Sequence, residues 1–231
     1  VIHDGKKLFF PADMTALQIQ MAYTSLMREQ HIKSPHRYET DGFYVHDGDV
    51  IADCGAAEGI WALSSAEKAG KIYLFECEKK WINALEKTFK PWSGKVEIVN
   101  KFISDTDSAD SVTLDKFWGG GGINFIKADI EGAEVSMLLG AQKTLESAKN
   151  LRLSLCTYHR QNDACDLETI LKKHGFSTSY SDGYMMFIFG DEPLKEPYLR
   201  RGLIRAEKLV FGEDGSQVRK NHAAENAQGN P

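Results

Sequence analysis

Apolar positions along the chain change their period again and again. From Asp49 onward, runs dense in apolar and β-branched residues, "DVIADC", "KIYLFE", "VEIVN", "INFIKAD" and "LRLSLCTY", alternate with stretches where apolar residues recur every three or four positions. Ile60, Leu63 and Ala66 form the first such stripe, and Ile82, Leu85 and Phe89 the second. Val135, Leu138, Leu139 and Leu145 follow the fourth run, and Leu167, Ile170 and Leu171 the fifth. Strands alternating with one-sided helices predict an α/β fold, a mostly parallel sheet with helices on both faces.

The pattern shifts near the C-terminal end. "GFSTSYSDGYMMFIFG" reads as two strands around a turn at Ser181 to Gly183, an antiparallel hairpin that closes the sheet. "GLIRAEKL" fits either an edge strand or a helix. Before the sheet, "PADMTALQIQMAYTSLMREQ" predicts a helix starting near Pro11 to Asp13 that caps one end of the core. Three segments result: an N-terminal helical extension over 1–45, a ligand-binding domain over 46–212, and a tail over 213–231 with too little apolar content to fold.

Composition narrows the partners. The 231 residues carry 28 Lys and Arg against 33 Asp and Glu, a net charge of -5, so the basic footprint of a nucleic-acid binder is missing. No apolar run reaches the roughly 18 residues of a membrane span, and "VIHDGKKLFF" lacks the order of a signal peptide. Cys54, Cys77, Cys156 and Cys165 make no C-x-x-C pair, and three of them stand in strand-like runs. A reducing, cytoplasmic setting is the expectation.

Candidate chemistry begins at "DVIADCGAAEG", Asp49 to Gly59. A dinucleotide fingerprint aligned on Gly55 would need glycine where Ala57 and Ile60 stand, and those side chains crowd a pyrophosphate and the helix packing. The stretch still turns sharply after a buried strand ending in Asp53, the place where open α/β sheets bind ligands. Glu76 ends the next strand near the offset at which a carboxylate takes a ribose diol. Together these features describe a site for a nucleoside without phosphates, and S-adenosylmethionine fits. A plain turn beside a solvated acid is the alternative.

In "INFIKADIEGAE", Asp129, Glu131 and Glu134 gather around a glycine. With "DVIADCGAAEG", "IYLFE", "VNKFISD", "VTLDKFW" and "LCTYHRQND" in the same order, the chain resembles the FkbM-type methyltransferases from about Ser34 to Phe189. The resemblance implies a class I methyltransferase, Rossmann-like, with a seven-stranded sheet and S-adenosylmethionine as cofactor. It implies that Asp53, Gly55, Ala56 and Gly59 underlie the methionine part of the cofactor. Glu76 would hold the ribose, while Ile103, Ser104 and Asp105 border the adenine. Asp129 would lie beside the transferred methyl, and His36, Arg37 and Tyr38 would face the cofactor or substrate from above. Cys77 departs from the family, many of whose members carry proline there.

Methyl transfer to an alcohol needs alignment and removal of a proton. His159 is the expected base, with Asp129 and Glu131 beside it. A histidine that only bonds to a neighbouring loop is the bland reading. Asp129, Glu131, His159 and Asp163 could instead gather a magnesium- or calcium-type cation, an option ranked below charge balance around a cationic cofactor. The acceptor expected from the family is a hydroxyl on a small molecule, a sugar or a glycan unit. A nicotinamide-dependent oxidoreductase and a non-catalytic nucleoside-binding module are the rival readings. Trp61, Trp81, Trp92 and Trp118 read as packing, and Tyr184, Met185 and Met186 as core filling.

Overall fold

The computed structural model describes residues 1–188 and 195–209, so the segment 213–231 lies outside the described residues. Seven strands form one sheet: β1 (Val50–Cys54), β2 (Lys71–Phe75), β3 (Val96–Val99), β4 (Phe125–Ala128), β5 (Asn150–Cys156), β6 (Ser177–Tyr180) and β7 (Leu203–Leu209). Their spatial order is β6-β7-β5-β4-β1-β2-β3. The five strands from β3 to β5 run parallel, while β7 is antiparallel to both β5 and β6. The order reverses between β1 and β4, which is where a ligand crevice opens in such sheets.

Burial on both faces explains why the central strands are apolar almost throughout. Successive residues alternate between two cores. Ala52, Cys54, Ile126, Ala128, Leu153 and Leu155 face one, while Ile51, Ile72, Leu74 and Phe125 face the other. The first core is covered by α4 (Leu114–Trp118), α5 (Glu134–Leu139), α6 (Gln142–Ser147) and α7 (Asp163–Lys173), the second by α2 (Ile60–Ser64) and α3 (Lys79–Thr88).

The N-terminal helix, α1 (Ala16–Glu29), begins later than the sequence predicts. Thr15 is its N-cap, and a capping box with Gln18 fixes the start. Pro11 to Met14 forms a turn instead. No residue of α1 is fully buried, and Tyr23 and Leu26 are its contacts with the second core.

The antiparallel hairpin at the C-terminal side is present, but with a different second arm. Ser177–Tyr180 pairs with Leu203–Leu209, so "GLIRAEKL" is a strand inserted between β5 and β6. Among the described residues of "YMMFIF", Met185 alone bridges back, to Arg200. Tyr184 and Met186 are each 54% exposed and do not fill the core, whereas Met185 packs against it. Among the tryptophans, Trp61 and Trp118 are buried in packing. All four cysteines are free thiols. No helix among the described residues is long and apolar enough to cross a membrane.

Candidate active site

The carboxyl ends of β1, β2, β4 and β5 converge, and two loops touch there through their backbones. Gly55 adopts φ +73°, and a Cβ on it would stand 2.0 Å from the carbonyl oxygen of Asp129. Only glycine permits that approach. Gly59 adopts φ +76° as the N-cap of α2, and a Cβ there would meet Leu85 and Phe89 at under 3 Å. Both glycines of "GAAEG" are therefore required by the protein's own packing. Ala57 is also left-handed, at φ +45°, and its N–H points at Glu76.

Glu76 fastens this loop. Its Oε2 accepts the Ala57 N–H at 2.9 Å, and its Oε1 accepts those of Cys77 and Glu78 at 2.7 and 2.8 Å. The carboxylate thus has little spare capacity, since two oxygens offer about four acceptor positions. Asp53, 1% exposed, is spent inside the sheet: its carboxylate forms an ion pair with Lys127 Nζ at 2.8 Å. The two residues are register partners on β1 and β4, and Lys127 also donates to the Gly55 carbonyl at 2.8 Å. Burial works to lower the Lys127 pKa, yet Asp53 and Asp129 outweigh it and hold the ammonium charged. Neighbouring Glu58 is 8% exposed, and burial pushes its carboxyl up to about 7.

Ile103, 6% exposed, packs into the first core beside Phe75 and Cys54. Ser104 and Asp105 continue from it toward α5, where the Asp105 N–H donates to Ser136 Oγ at 3.2 Å. Ala56 is buried in the second core.

On the other side of the crevice, Asp129 is a hub. Its Oδ2 accepts Tyr38 Oη–H at 2.9 Å and lies 3.4 Å from His36 Nε2. Its Oδ1 accepts Tyr158 Oη–H at 3.3 Å and lies 3.3 Å from His159 Nε2. Burial alone would raise its pKa, but hydrogen bonds from His159 and His36 and the Lys127 charge win and hold it well below the usual carboxylate range. The side chains of His36 and Tyr38 both reach Asp129. Arg37 contributes its carbonyl, which Arg205 Nη2 holds at 2.5 Å.

His159 stands between carboxylates. Nε2 lies 3.3 Å from Asp129 and 3.7 Å from Glu131, and Nδ1 lies 3.1 Å from Glu134. Burial works against its charge, but Asp129 and Glu134 raise its pKa to about 10. In the free protein it is a donor to Asp129, not the neutral imidazole expected of a resting base. Glu131 sits in a left-handed turn at φ +55° with its side chain 73% exposed. Arg200 Nη1 donates to the carbonyls of Tyr158 and His159 at 2.6 and 2.9 Å, clamping their loop.

Asp163 is not brought into this group. Its Oδ2 accepts the Arg160 N–H at 2.7 Å, closing the turn before α7. Among the described residues, the sets that could hold an ion are Asp129, Glu134 and His159, and His36, Asp129 and Cys156. Lys127, Tyr158 and the buried position of Glu134 are what sequence reasoning missed. Lys127 did leave a signal, a lone charge inside the apolar run "INFIKAD".

Comparison with known proteins bears on the fold and on the family of one segment. Residues 84–178 match the model of the methyltransferase FkbM domain. That segment includes Asp129, Glu131, Glu134 and His159, while the Gly55 loop and Glu76 precede it. In fold, the chain is similar to the crystal structure of methyltransferase FkbM from Methylobacillus flagellatus KT, with a TM-score of 0.54 and 19% identity over 75% of this chain and 50% of that one. It therefore spans half the length of that relative. A precorrin-6y C5,15-methyltransferase from Geobacter metallireducens GS-15 aligns with a TM-score of 0.49 and 14% identity, over 90% of this chain and 97% of that one. An rRNA methylase from Streptococcus thermophilus aligns at 0.47 and 15%, over 86% and 99%. No match was found among curated proteins. The fold is that of a class I methyltransferase. The family that its motifs resemble and its 84–178 segment matches is that of the FkbM methyltransferases.

Proposed function

We propose that the chain is an S-adenosylmethionine-dependent O-methyltransferase acting on a hydroxyl of a small molecule, a sugar or a glycan unit. The observation that carries this reading is the convergence, at the point where the strand order reverses, of the Gly55 loop, Glu76 and the Asp129 hub. The Gly55 to Gly59 loop and Asp53 would underlie the methionine moiety, Glu76 would take a ribose hydroxyl, and Ile103 to Asp105 would border the adenine. Residues 46–212 act as the transferase domain. Residues 1–45 supply His36 and Tyr38 as a wall over Asp129.

The reaction is an in-line displacement, so its rate depends first on holding the acceptor oxygen close to the methyl and opposite the sulfur. An oxygen–carbon bond forms as the sulfur–carbon bond breaks, its electron pair staying on sulfur. Neutral S-adenosylhomocysteine leaves, and the hydroxyl proton departs through the cluster of Asp129, Glu131 and His159. With the imidazole already charged at rest, the atoms free to receive a proton are carboxylate oxygens.

Calorimetric titration with S-adenosylmethionine, S-adenosylhomocysteine and NAD, on the native chain and on Glu76→Ala, tests the reading. Micromolar binding of the adenosyl compounds alone, weakened by the substitution, is expected. Thermal melts of the variant separate lost ribose contact from an unfastened loop. Binding of NAD alone, or of none of the three, would discard the proposal.

A further inference from the structure

Around Asp129 lies a set of donor atoms of which one residue, Glu134, is left unused by the methyl-transfer reading. Asp129 follows β4, Glu134 is the first residue of α5, and His159 follows β5. One ligating atom from each lies within 4.8 Å of the others. Glu134 is 0% exposed; its Oε1 accepts the Ile130 N–H at 2.9 Å, and its Oε2 meets no donor. His159 Nδ1 is likewise buried without a hydrogen-bond partner. Its 3.1 Å separation from Glu134 Oε1 is an ion-pair distance without hydrogen-bond alignment. A buried carboxylate oxygen with nothing to bind is costly, on the order of 1–3 kcal/mol or more. A cation that displaced the imidazole proton would give both atoms a partner, next to a further carboxylate.

We propose that Asp129, Glu134 and His159 bind one divalent cation. One imidazole nitrogen with two carboxylates suits a first-row ion such as Mn²⁺, Fe²⁺ or Zn²⁺ better than Ca²⁺, which takes six to eight oxygens. Two carboxylates also match the ion's charge. Asp129 is 23% exposed, so the ion keeps a side open toward the crevice. A hydroxyl can coordinate there and be acidified. The second set, His36, Asp129 and Cys156, is closed by comparison. His36 Nε2 already bonds Tyr158 Oη at 2.9 Å and meets Cys156 Sγ at 3.5 Å, with His36 and Cys156 both buried. Cation binding stands on these atoms alone, whereas its part in methyl transfer rests on the function proposed above.

The test is titration of the chelator-treated full chain with Mn²⁺ alone, read by the electron-paramagnetic signal of the free ion. One equivalent is expected to bind, with affinity reduced about tenfold or more in Glu134→Gln and kept in Glu131→Gln, which alters the exposed neighbour. In the native chain, bound Mn²⁺ should broaden the ring-proton resonances of His159 and, next, His36, leaving His31 and His174 sharp. This second readout decides the matter if Glu134→Gln does not fold. Absence of stoichiometric binding, undiminished affinity in Glu134→Gln, equal loss in Glu131→Gln, or broadening elsewhere would each overturn the site. Cofactor titration is a separate readout. Failure to bind Mn²⁺ with S-adenosylmethionine binding intact removes the cation site alone, and the converse result removes the methyltransferase reading alone.

Discussion

The two walls of the crevice are built from different materials. At the ends of β1 and β2, polar groups are satisfied mainly by backbone: Glu76 takes three N–H groups, and Lys127 ties Asp53 to the Gly55 carbonyl. At the ends of β4 and β5, side chains meet side chains: Asp129 is shared by two tyrosines and two histidines, and His36 Nδ1, Glu134 Oε2 and His159 Nδ1 are buried without a hydrogen bond, against Asp53 Oδ1 alone in the first wall. The first wall has a shape that few substitutions can alter without harming the fold, which suits a ligand of constant structure. In the second wall, charge and donor pattern change with single side chains. Its chemistry is therefore adjustable on a fixed frame.

The sharpest test of that contrast is Gly55→Ala, because Gly55 locks the two walls together. A Cβ 2.0 Å from a backbone oxygen, in a left-handed conformation, leaves no room for adjustment. Loss of the folded protein, or of more than about 4 kcal/mol in urea unfolding, is expected; a loss near 1 kcal/mol would show that the walls are not locked. Next comes Lys127→Met, which leaves Asp53 buried without its partner. Urea unfolding should show a cost of about 3–5 kcal/mol, most of it recovered in the double variant Asp53→Leu/Lys127→Met. If the double variant is no more stable than the single one, the buried pair is not what Lys127 supports. The smallest effect on stability belongs to the second wall. His159→Ala should cost about 1–3 kcal/mol while lowering methyl transfer by roughly 10²-fold, through misplacement of the Asp129 carboxylate that it holds, and leaving cofactor affinity unchanged. Full turnover at saturating cofactor and acceptor would remove His159 from the reaction.

The same contrast explains what could be read from the chain. The five parallel strands and their helices were legible because burial on both faces imposes continuous apolar runs, and helix stripes keep their period. The Gly55 turn was legible because it acts through local backbone geometry, whereas the three N–H groups that Glu76 accepts were not. The second arm of the hairpin was not. "YMMFIF" has the stronger strand composition, yet "LIRAEKL" has the alternation that fits the open edge of β5, with Ile204 and Ala206 facing one core and Leu203 the other. Pairing with a distant edge overrode local preference. The second wall was legible only in part, since its contacts join residues far apart in sequence, such as Tyr38 to Asp129 and His36 to Tyr158. His159 was visible as a titratable residue at a strand end, but its charge state was not, because that depends on Glu134 being buried beside it.

The insertion of β7 between β5 and β6 sets a timetable for synthesis on the ribosome. Until residues 203–209 have emerged, β5 has no neighbour on its outer side, and an exposed, apolar strand edge invites wrong pairing with other chains. Arg200 and Arg205, which clamp the loop of His159 and the carbonyls of Arg37 and Tyr38, arrive with that strand. The nascent chain can therefore complete the Gly55 wall well before the Asp129 wall. Of the two sides of the crevice, that of Asp129 is the later to be completed.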